Sequence, residues 1–344
     1  MILAGWLRGY YQSIIRYSLH GDFMNNREWT RIVSCICIAL SFLTVSNCSR
    51  VTVNKNNFVS YRGSMLHKGR VRTYLMHIPP SYHKESLTPL VIALHGGGGD
   101  GNRMEKFTLM SHQSDTGGFL LVYPDAIEGH WNDGRGVHKY RSHRKDIDDI
   151  GFISALIDVL AENYNVDMKR IYVTGSSNGG LMSNRLACEL TDRITAIAPV
   201  IGSIAENIAA RCLPKRPIPV LMINGTDDQI VPWEGEYVRS GHKKLGKILS
   251  IPDTVNFWVS HNGCLPMPEI TWEPDINPED GTRVRTIVYG KCKDGVKVVL
   301  YEIQGGGHTW PRGPRHLPEF IFGKTSRDID ANQIIWRFFK QFRR

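Results

Sequence analysis

Three residues stand in the types and order that covalent attack on a carbonyl carbon requires. The stretch Gly175-Ser176-Ser177-Asn178-Gly179 follows an apolar, β-branched run, Arg170 to Thr174, and precedes a helical period. A strand-to-helix turn that tight strains its central residue, and small flanking residues keep the neighbouring turns from clashing; this is the G-x-S-x-G elbow pattern. Its central position is Ser177, exposed at a helix N-terminus. Ser176 lies one place too early and is expected to point into the sheet or its flank. A serine hydroxyl becomes a useful nucleophile only when a base takes its proton and an acid orients the base. Downstream, "NGTDDQIVPW" offers Asp227 and Asp228 after one apolar run, and "QGGGHTWPRG" offers His308 after another. Both fall where ligand chemistry gathers in open α/β sheets, at the strands' C-terminal edge. The implied chemistry is attack by Ser177, with His308 as base, through an acyl intermediate.

Such a serine also needs two N–H donors aimed at the developing oxyanion. One would be the backbone N–H of Asn178. The other is expected from "LHGGGGDG", Leu94 to Gly101, directly after the strand-like "PLVIA". There glycines let the backbone approach substrate, and Gly97 is the expected donor, with Gly96 next. The glycine run lacks both the Gly-Lys-Ser/Thr ending of a phosphate-binding loop and the GxGxxG spacing with a distal acid. Trp131 and Asn132, with Asp133, lie on a loop expected to rim the pocket or to pack beneath it. Trp233 and Trp310 could form an apolar wall for an acyl or aromatic group, or could be packing. Asp148 and Asp149 open a helix and read as capping and dipole complement. No His/Cys/Asp spacing points to zinc, no EF-hand loop is present, and no cofactor or metal is implied.

The elements that must hold these residues alternate. Thr88–Gly97, Gly118–Asp125, Arg170–Gly175, Ile194–Val200 and Ile218–Gly225 read as strands buried on both faces. Asp149–Tyr164 carries Phe152, Ile153, Leu156, Ile157 and Leu160 at helical spacing, and Asn178–Leu190 follows the serines as a second helix. Ser60–Pro79 reads as an antiparallel entry hairpin, "RVRTIVYG" and "VKVVLYEI" as the last strands, and Asp330–Phe342 as a closing helix. This is an α/β fold, a mostly parallel central sheet flanked by helices, in one catalytic domain from residue 49 to 344.

The chain has 344 residues, 42% hydrophobic and 22% charged, with a formal net charge of +9. The excess charge is spread over both termini and the local cluster "KYRSHRK", Lys139 to Lys145, without an aromatic-basic stripe, so nucleic-acid binding is not expected. "RIVSCICIALSFLTVSNCS", Arg31 to Ser49, carries an apolar run too short to span a bilayer and fits the h-region of a secretory signal peptide. Residues 1–48 therefore read as leader and signal, with Met24 as the expected true start, and the mature protein as secreted or periplasmic. Cys35 and Cys37 fall in that signal. Of the five remaining cysteines four can pair, and Cys188 with Cys212 and Cys264 with Cys292 close the shorter loops. Cys48 is the odd one, and membrane attachment is expected only if it is lipidated.

"LHGGGGDG", "WNDGR", "DIDDIGF", "VTGSSNGGLM", "NGTDDQIVP" and "GGGHTWP" together resemble the secreted polyhydroxybutyrate depolymerase and feruloyl esterase group (carbohydrate esterase family 1-like) of the α/β-hydrolase superfamily. The resemblance runs from about Tyr61 to the C-terminus. It implies Ser177 as nucleophile and His308 as base, and its G-T-x-D motif matches Asp228 rather than Asp227 as the acid. It also implies cysteine pairs placed like Cys188/Cys212 and Cys264/Cys292. Ser176 departs from the apolar residue usual there, and no length remains for the added substrate-binding domain of the granule-degrading members. The expected partner is thus a small ester or short oligoester: hydroxybutyrate oligomers, feruloyl esters or acetyl esters. A serine peptidase or amidase on the same fold, or a catalytically silent surface or carbohydrate-binding protein, are the alternatives.

Overall fold

Unbroken apolar runs of five to seven residues can be satisfied only where both faces of a strand are covered. The computed structural model, which describes residues 50–53, 59–314 and 318–344, provides that cover. The leader and signal reading, Met24, Cys35, Cys37 and Cys48 lie outside the described residues. In chain order the strands are β1 (Arg50–Val53), β2 (Val59–His67), β3 (Arg70–His77), β4 (Thr88–Leu94), β5 (Leu120–Pro124), β6 (Val166–Ser176), β7 (Ala196–Val200), β8 (Val220–Gly225), β9 (Glu236–Ser240), β10 (Lys243–Ile248), β11 (Glu269–Trp272), β12 (Arg283–Tyr289) and β13 (Val298–Gln304). The longer helices are α1 (Gly101–Thr108), α2 (Met110–Gly117), α3 (Asp149–Asn163), α4 (Asn178–Glu189), α5 (Ile251–His261) and α6 (Ala331–Phe339).

Eleven strands form one sheet in the order β1-β2-β3-β5-β4-β6-β7-β8-β13-β12-β11. The six from β5 to β13 run parallel, and antiparallel ribbons flank them on both sides. The chain moves from β4 outward to β5 and then returns to the other side of β4 as β6. Connections therefore leave β4 and β6 in opposite directions, which opens a crevice at their C-terminal ends.

Alternation along the strands divides the core in two. Leu90, Ile92 and Leu94 of β4 and Ile171 and Val173 of β6 pack with the α3 face Phe152, Ile153, Leu156, Ile157 and Leu160 and with Trp258 of α5. Val91 and Ala93 of β4 and Tyr172 of β6 face the other way, onto Met104 of α1 and Ile334, Ile335, Phe338 and Phe339 of α6. Each large apolar side chain buried this fully contributes about 1.5–3 kcal/mol relative to exposure.

Asp148 caps α3 as expected, accepting from Gly151 N at 2.8 Å. Asp149 does more than complement the helix dipole. It is buried against Arg72 of β3 at 2.7 Å and also accepts from Asn132 N at 2.8 Å. The Arg72 guanidinium lies 3.7 Å over the Phe152 ring, so hairpin, helix and the Trp131–Asp133 loop meet at one carboxylate.

Both cysteine pairs are disulfides. Cys188, near the end of α4, joins Cys212 across a separation of 24 residues, and Cys264 joins Cys292 across 28. Closing loops of this length removes roughly 3 kcal/mol of unfolded-state entropy each. A Cys188→Ser/Cys212→Ser double variant should accordingly lose about that much unfolding free energy. Urea titration checks this, and an unchanged midpoint would refute it.

Candidate active site

β6 ends at Ser176 and α4 begins at Asn178, so Ser177 alone makes the turn, with φ 54° and ψ −118°. A non-glycine residue tolerates positive φ only when its surroundings over-determine it. Here two glycines allow that. A Cβ on Gly175 would stand 2.5 Å from the Gly179 carbonyl oxygen, and one on Gly179 would stand 2.2 Å from the Leu94 carbonyl oxygen. The turn is therefore pressed directly onto the end of β4, and Ser177 N donates to Val200 O at 3.1 Å. Ser176 is buried, with its hydroxyl on the Met104 sulfur at 3.8 Å, as its place in the pentapeptide predicts.

The ends of β8 and β13 approach as closely. A Cβ on Gly225 would lie 2.2 Å from the Gly306 oxygen, and Asp227 N donates to Gly306 O at 2.9 Å. Asp228 Oδ1 accepts from the backbone N–H groups of Ile230 and Val231, each at 2.8 Å. Its Oδ2 meets His308 Nδ1 at 2.7 Å. The contact places Nδ1 against the carboxylate, so in a neutral ring with its proton on Nδ1 the Nε2 atom would be the acceptor. Asp227 is exposed and its carboxylate accepts from Thr226, so the structure brings Asp228, not Asp227, to the histidine. Ser177 and His308 both line one cavity of about 580 Å³, together with Gly97 and Asn178.

Two unused N–H groups face this chemistry. The Gly96 carbonyl accepts from His95 Nδ1 at 2.8 Å and from Gly99 N at 3.1 Å. In a trans peptide the following N–H points opposite the carbonyl, so the Gly97 N–H is turned away from those bonds. Asn178 N is the first of the orphan donors at the start of α4. Among the described residues neither N–H has a hydrogen-bond partner.

The Asn178 side chain is clamped. Its Oδ1 accepts from Trp131 N at 2.8 Å, and its Nδ2 donates to Trp131 O at 3.1 Å and to Asp133 Oδ2 at 2.6 Å. Asp133 is fully buried and held by Arg135, whose Nη2 lies 2.7 Å away. Burial pushes the Asp133 carboxyl up, but the charge of Arg135, the neighbouring His143 and the hydrogen bonds from Arg135 together outweigh it and lower the group below its ordinary range.

Two buried histidines complete the support, both lowered from their ordinary pKa by burial. His95 donates from Nδ1 to Gly96 O and accepts from Ala126 N at Nε2, at 3.0 Å. His143 accepts from Val137 N at Nδ1, at 3.2 Å, and donates from Nε2 to Trp131 O at 3.0 Å. Each must be neutral to make both bonds.

None of Trp131, Asn132, Trp233 and Trp310 lines the cavity. Trp131 is fully buried, its indole N–H on His95 O at 3.0 Å, and Asn132 Nδ2 is spent on Asp146 and Ile147. Trp310 is buried against Phe107 with its N–H on Asn332, and Trp233 is half-buried against the core. The wall is made by residues the sequence reading did not single out. His130 stacks on Tyr140 at 3.8 Å, Phe320 and Ile321 come from a single helical turn, and Val238 and Arg239 come from the β9–β10 hairpin. The one sequence signal for that hairpin is the turn at Ser240-Gly241 between two short runs, where Gly241 has φ 57°.

The chain is 30% identical over 271 residues to "Putative esterase NocK" of Nocardia uniformis subsp. tsuyamanensis, covering 76% of this chain and 77% of that protein. It is 30% identical over 243 residues to feruloyl esterase B of Piromyces equi, covering 69% of this chain but only 42% of that protein's length. The acetyl xylan esterase structure from Aspergillus awamori superposes with a TM-score of 0.51 at 14% identity, covering 78% of this chain and 94% of that one, and shares the fold. No family model matches the chain. The chain belongs to an esterase family with the α/β-hydrolase fold. It is a carboxylic ester hydrolase.

For this esterase the two neutral histidines carry a pH signature. A histidine whose folded pKa is lowered is protonated more readily when unfolded, so the unfolded state binds more protons and stability rises with pH. Stability should be fully present above the unfolded pKa of about 6.5 and fall as pH drops below it, by up to about 1.4 kcal/mol per pH unit per histidine. Chemical denaturation at pH 7.5, 6.5 and 5.5 tests this. Equal stabilities over that range, or ring nitrogen shifts of imidazolium form at pH 7, would contradict the assignment.

Proposed function

We propose that the protein is a secreted serine esterase whose nucleophile is Ser177. The observation that carries this reading is the His308–Asp228 pair, in which Nδ1 meets the carboxylate, together with a cavity that both His308 and Ser177 line. His308 takes the Ser177 proton as the hydroxyl attacks the ester carbonyl, and Asp228 stabilises the imidazolium that results. The N–H groups of Gly97 and Asn178 receive the oxyanion. Collapse of the tetrahedral intermediate returns the proton from His308 to the leaving alcohol, and water, activated by the same histidine, then releases the acid from the acyl-enzyme.

The cavity wall favours an aromatic acyl group. Tyr140 on its His130 stack, with Phe320 and Ile321 in the same lining, offers flat apolar surface that a hydroxycinnamoyl ring can cover. Feruloyl esters are therefore the proposed substrates, with acetyl and hydroxybutyryl esters as weaker ones. Secretion is supported by the two disulfides, which persist in oxidising compartments, and by the signal-like run before Ser49.

The test is an ester panel on the protein: methyl ferulate, acetylated xylan, hydroxybutyrate oligomers and short p-nitrophenyl esters. Methyl ferulate should lead in kcat/KM, and Ser177→Ala should lower the rate by on the order of 10⁴-fold or more while abolishing labelling by a fluorophosphonate. Unaltered turnover in the alanine variant would overturn the assignment of Ser177, and a leading hydroxybutyrate oligomer would overturn the aromatic preference.

The clamp on Asn178 makes a separate prediction. Asp133→Asn keeps the shape but removes the charge that holds both Arg135 and the Asn178 amide. It should lower kcat about 10–100-fold with KM nearly unchanged, because the oxyanion donor acts on the transition state rather than on bound substrate. A change confined to KM would assign the loop to substrate contact instead.

A further inference from the structure

The cavity mouth is electrically lopsided. Residues 135–145 contain five Lys or Arg and no Asp or Glu, and residues 237–248 contain four and none. These segments form one wall. Arg135 and Tyr140 from the first line the cavity beside Val238, Arg239 and Ser240 from the second. Arg135 Nη1 donates to Leu245 O at 2.9 Å, and Val137, Val238, Leu245 and Ile248 share one buried cluster, so the two segments are fastened together.

Acidic residues compensate this wall only in part. Asp133 holds Arg135, Glu128 holds Arg141 at 2.7 Å, and Glu206 reaches Lys247 at 3.7 Å. Glu236 is shared between Lys244 at 3.4 Å and Arg239 at 3.8 Å. Among the described residues Lys139, Arg144, Lys145 and Lys243 have no acidic partner, and all four are exposed. Arg239 lines the cavity itself and is held only by that long, shared contact. The lining also includes Phe320 and Ile321, which are exposed and apolar.

A neutral ester has use for the apolar lining alone. We propose that the natural substrate is an ester whose alcohol is a carboxylate-bearing sugar chain, with its acyl group in the cavity and its carboxylates on the wall formed by Lys139, Arg144, Lys145, Arg239 and Lys243. This rests on the esterase reading of Ser177. Exposed charges on a cavity rim act mainly by raising encounter rate and fixing register, and salt screens them over about 8–10 Å. The preference is therefore a salt-dependent one in kcat/KM.

The experiment compares two size-matched feruloyl esters, one of a uronate oligosaccharide and one of a neutral oligosaccharide. It uses 20 mM and 300 mM NaCl, with the unaltered protein and the charge-reversal variants Lys243→Glu and Lys139→Glu/Lys243→Glu. The uronate ester should lead the neutral one at least tenfold in kcat/KM at 20 mM, with most of that lead lost at 300 mM. The same ratio should fall at least fivefold in the double variant. A ratio near one, or a lead indifferent to both salt and charge reversal, would overturn the proposal while leaving the esterase intact. If neither ester turns over and the fluorophosphonate fails to label Ser177, the esterase reading has failed and this proposal falls with it.

Discussion

The site depends on backbone touching backbone where a side chain would ordinarily intervene. Ser177 can hold a positive φ because Gly175 and Gly179 let the β6–α4 turn lie against the end of β4, with no room for a Cβ on either. The same device recurs between β8 and β13, where Gly225 lets the Gly306 backbone approach. These contacts join the C-terminal ends of four parallel strands into one rigid rim. Ser177 and His308, 131 positions apart, thereby line one cavity, with Asp228 bonded to His308. Rigid placement matters because an error of one ångström in a reacting group is enough to lose much of the rate.

A second layer orients peptide planes rather than side chains. His95, kept neutral by burial, ties down the Gly96 carbonyl and so turns the Gly97 N–H the other way. Asp133, charged and buried with Arg135, fixes the Asn178 amide together with both polar atoms of the Trp131 backbone. Each partner in this layer is fully hydrogen-bonded, which is the condition under which a buried polar network adds rigidity rather than cost. The layer also reaches the fold's frame, since Asn132 is bound to Asp149 and Asp149 to Arg72 on β3.

The sheet and the motif residues were legible in the sequence for the same reason. A strand buried on both faces must be apolar throughout, and a loop that crosses another backbone must be glycine, so both leave marks in residue type. Thus β8, α3 and α4 fall within two residues of their expected positions, β4 and β6 differ by three or four residues at one end, and Ser177 and His308 line one cavity with Asp228 bonded to His308. Trp131, Asn132, Trp233 and Trp310 read in the sequence as either wall or packing, because an indole or amide beside a motif can serve as both. Sequence position alone does not separate the two. In the structure Trp131 and Trp310 are buried, Trp233 is half-buried against the core, and the Asn132 amide is spent on Asp146 and Ile147. The β9–β10 hairpin escaped because its strands alternate weakly and its inward residues, Val238 and Leu245, answer to a local cluster rather than to the central core.

That separation of signals follows the division of labour in the molecule. Reaction chemistry is held by parts that tolerate almost no variation, because their atoms meet at 2.2–2.5 Å the moment a methyl group is added. The parts proposed for recognition are the Arg135–Lys145 segment and the β9–β10 hairpin, joined through a small satellite cluster, and the single turn carrying Phe320 and Ile321, whose Phe322 O accepts from His308 N. These segments are not independent of the site, since that bond reaches His308 and Arg135 holds the Asp133 carboxylate that bonds Asn178. Substrate identity must still be sought in the charges and rings of the mouth, where Tyr140 and Arg239 stand, and not in the residues around Ser177.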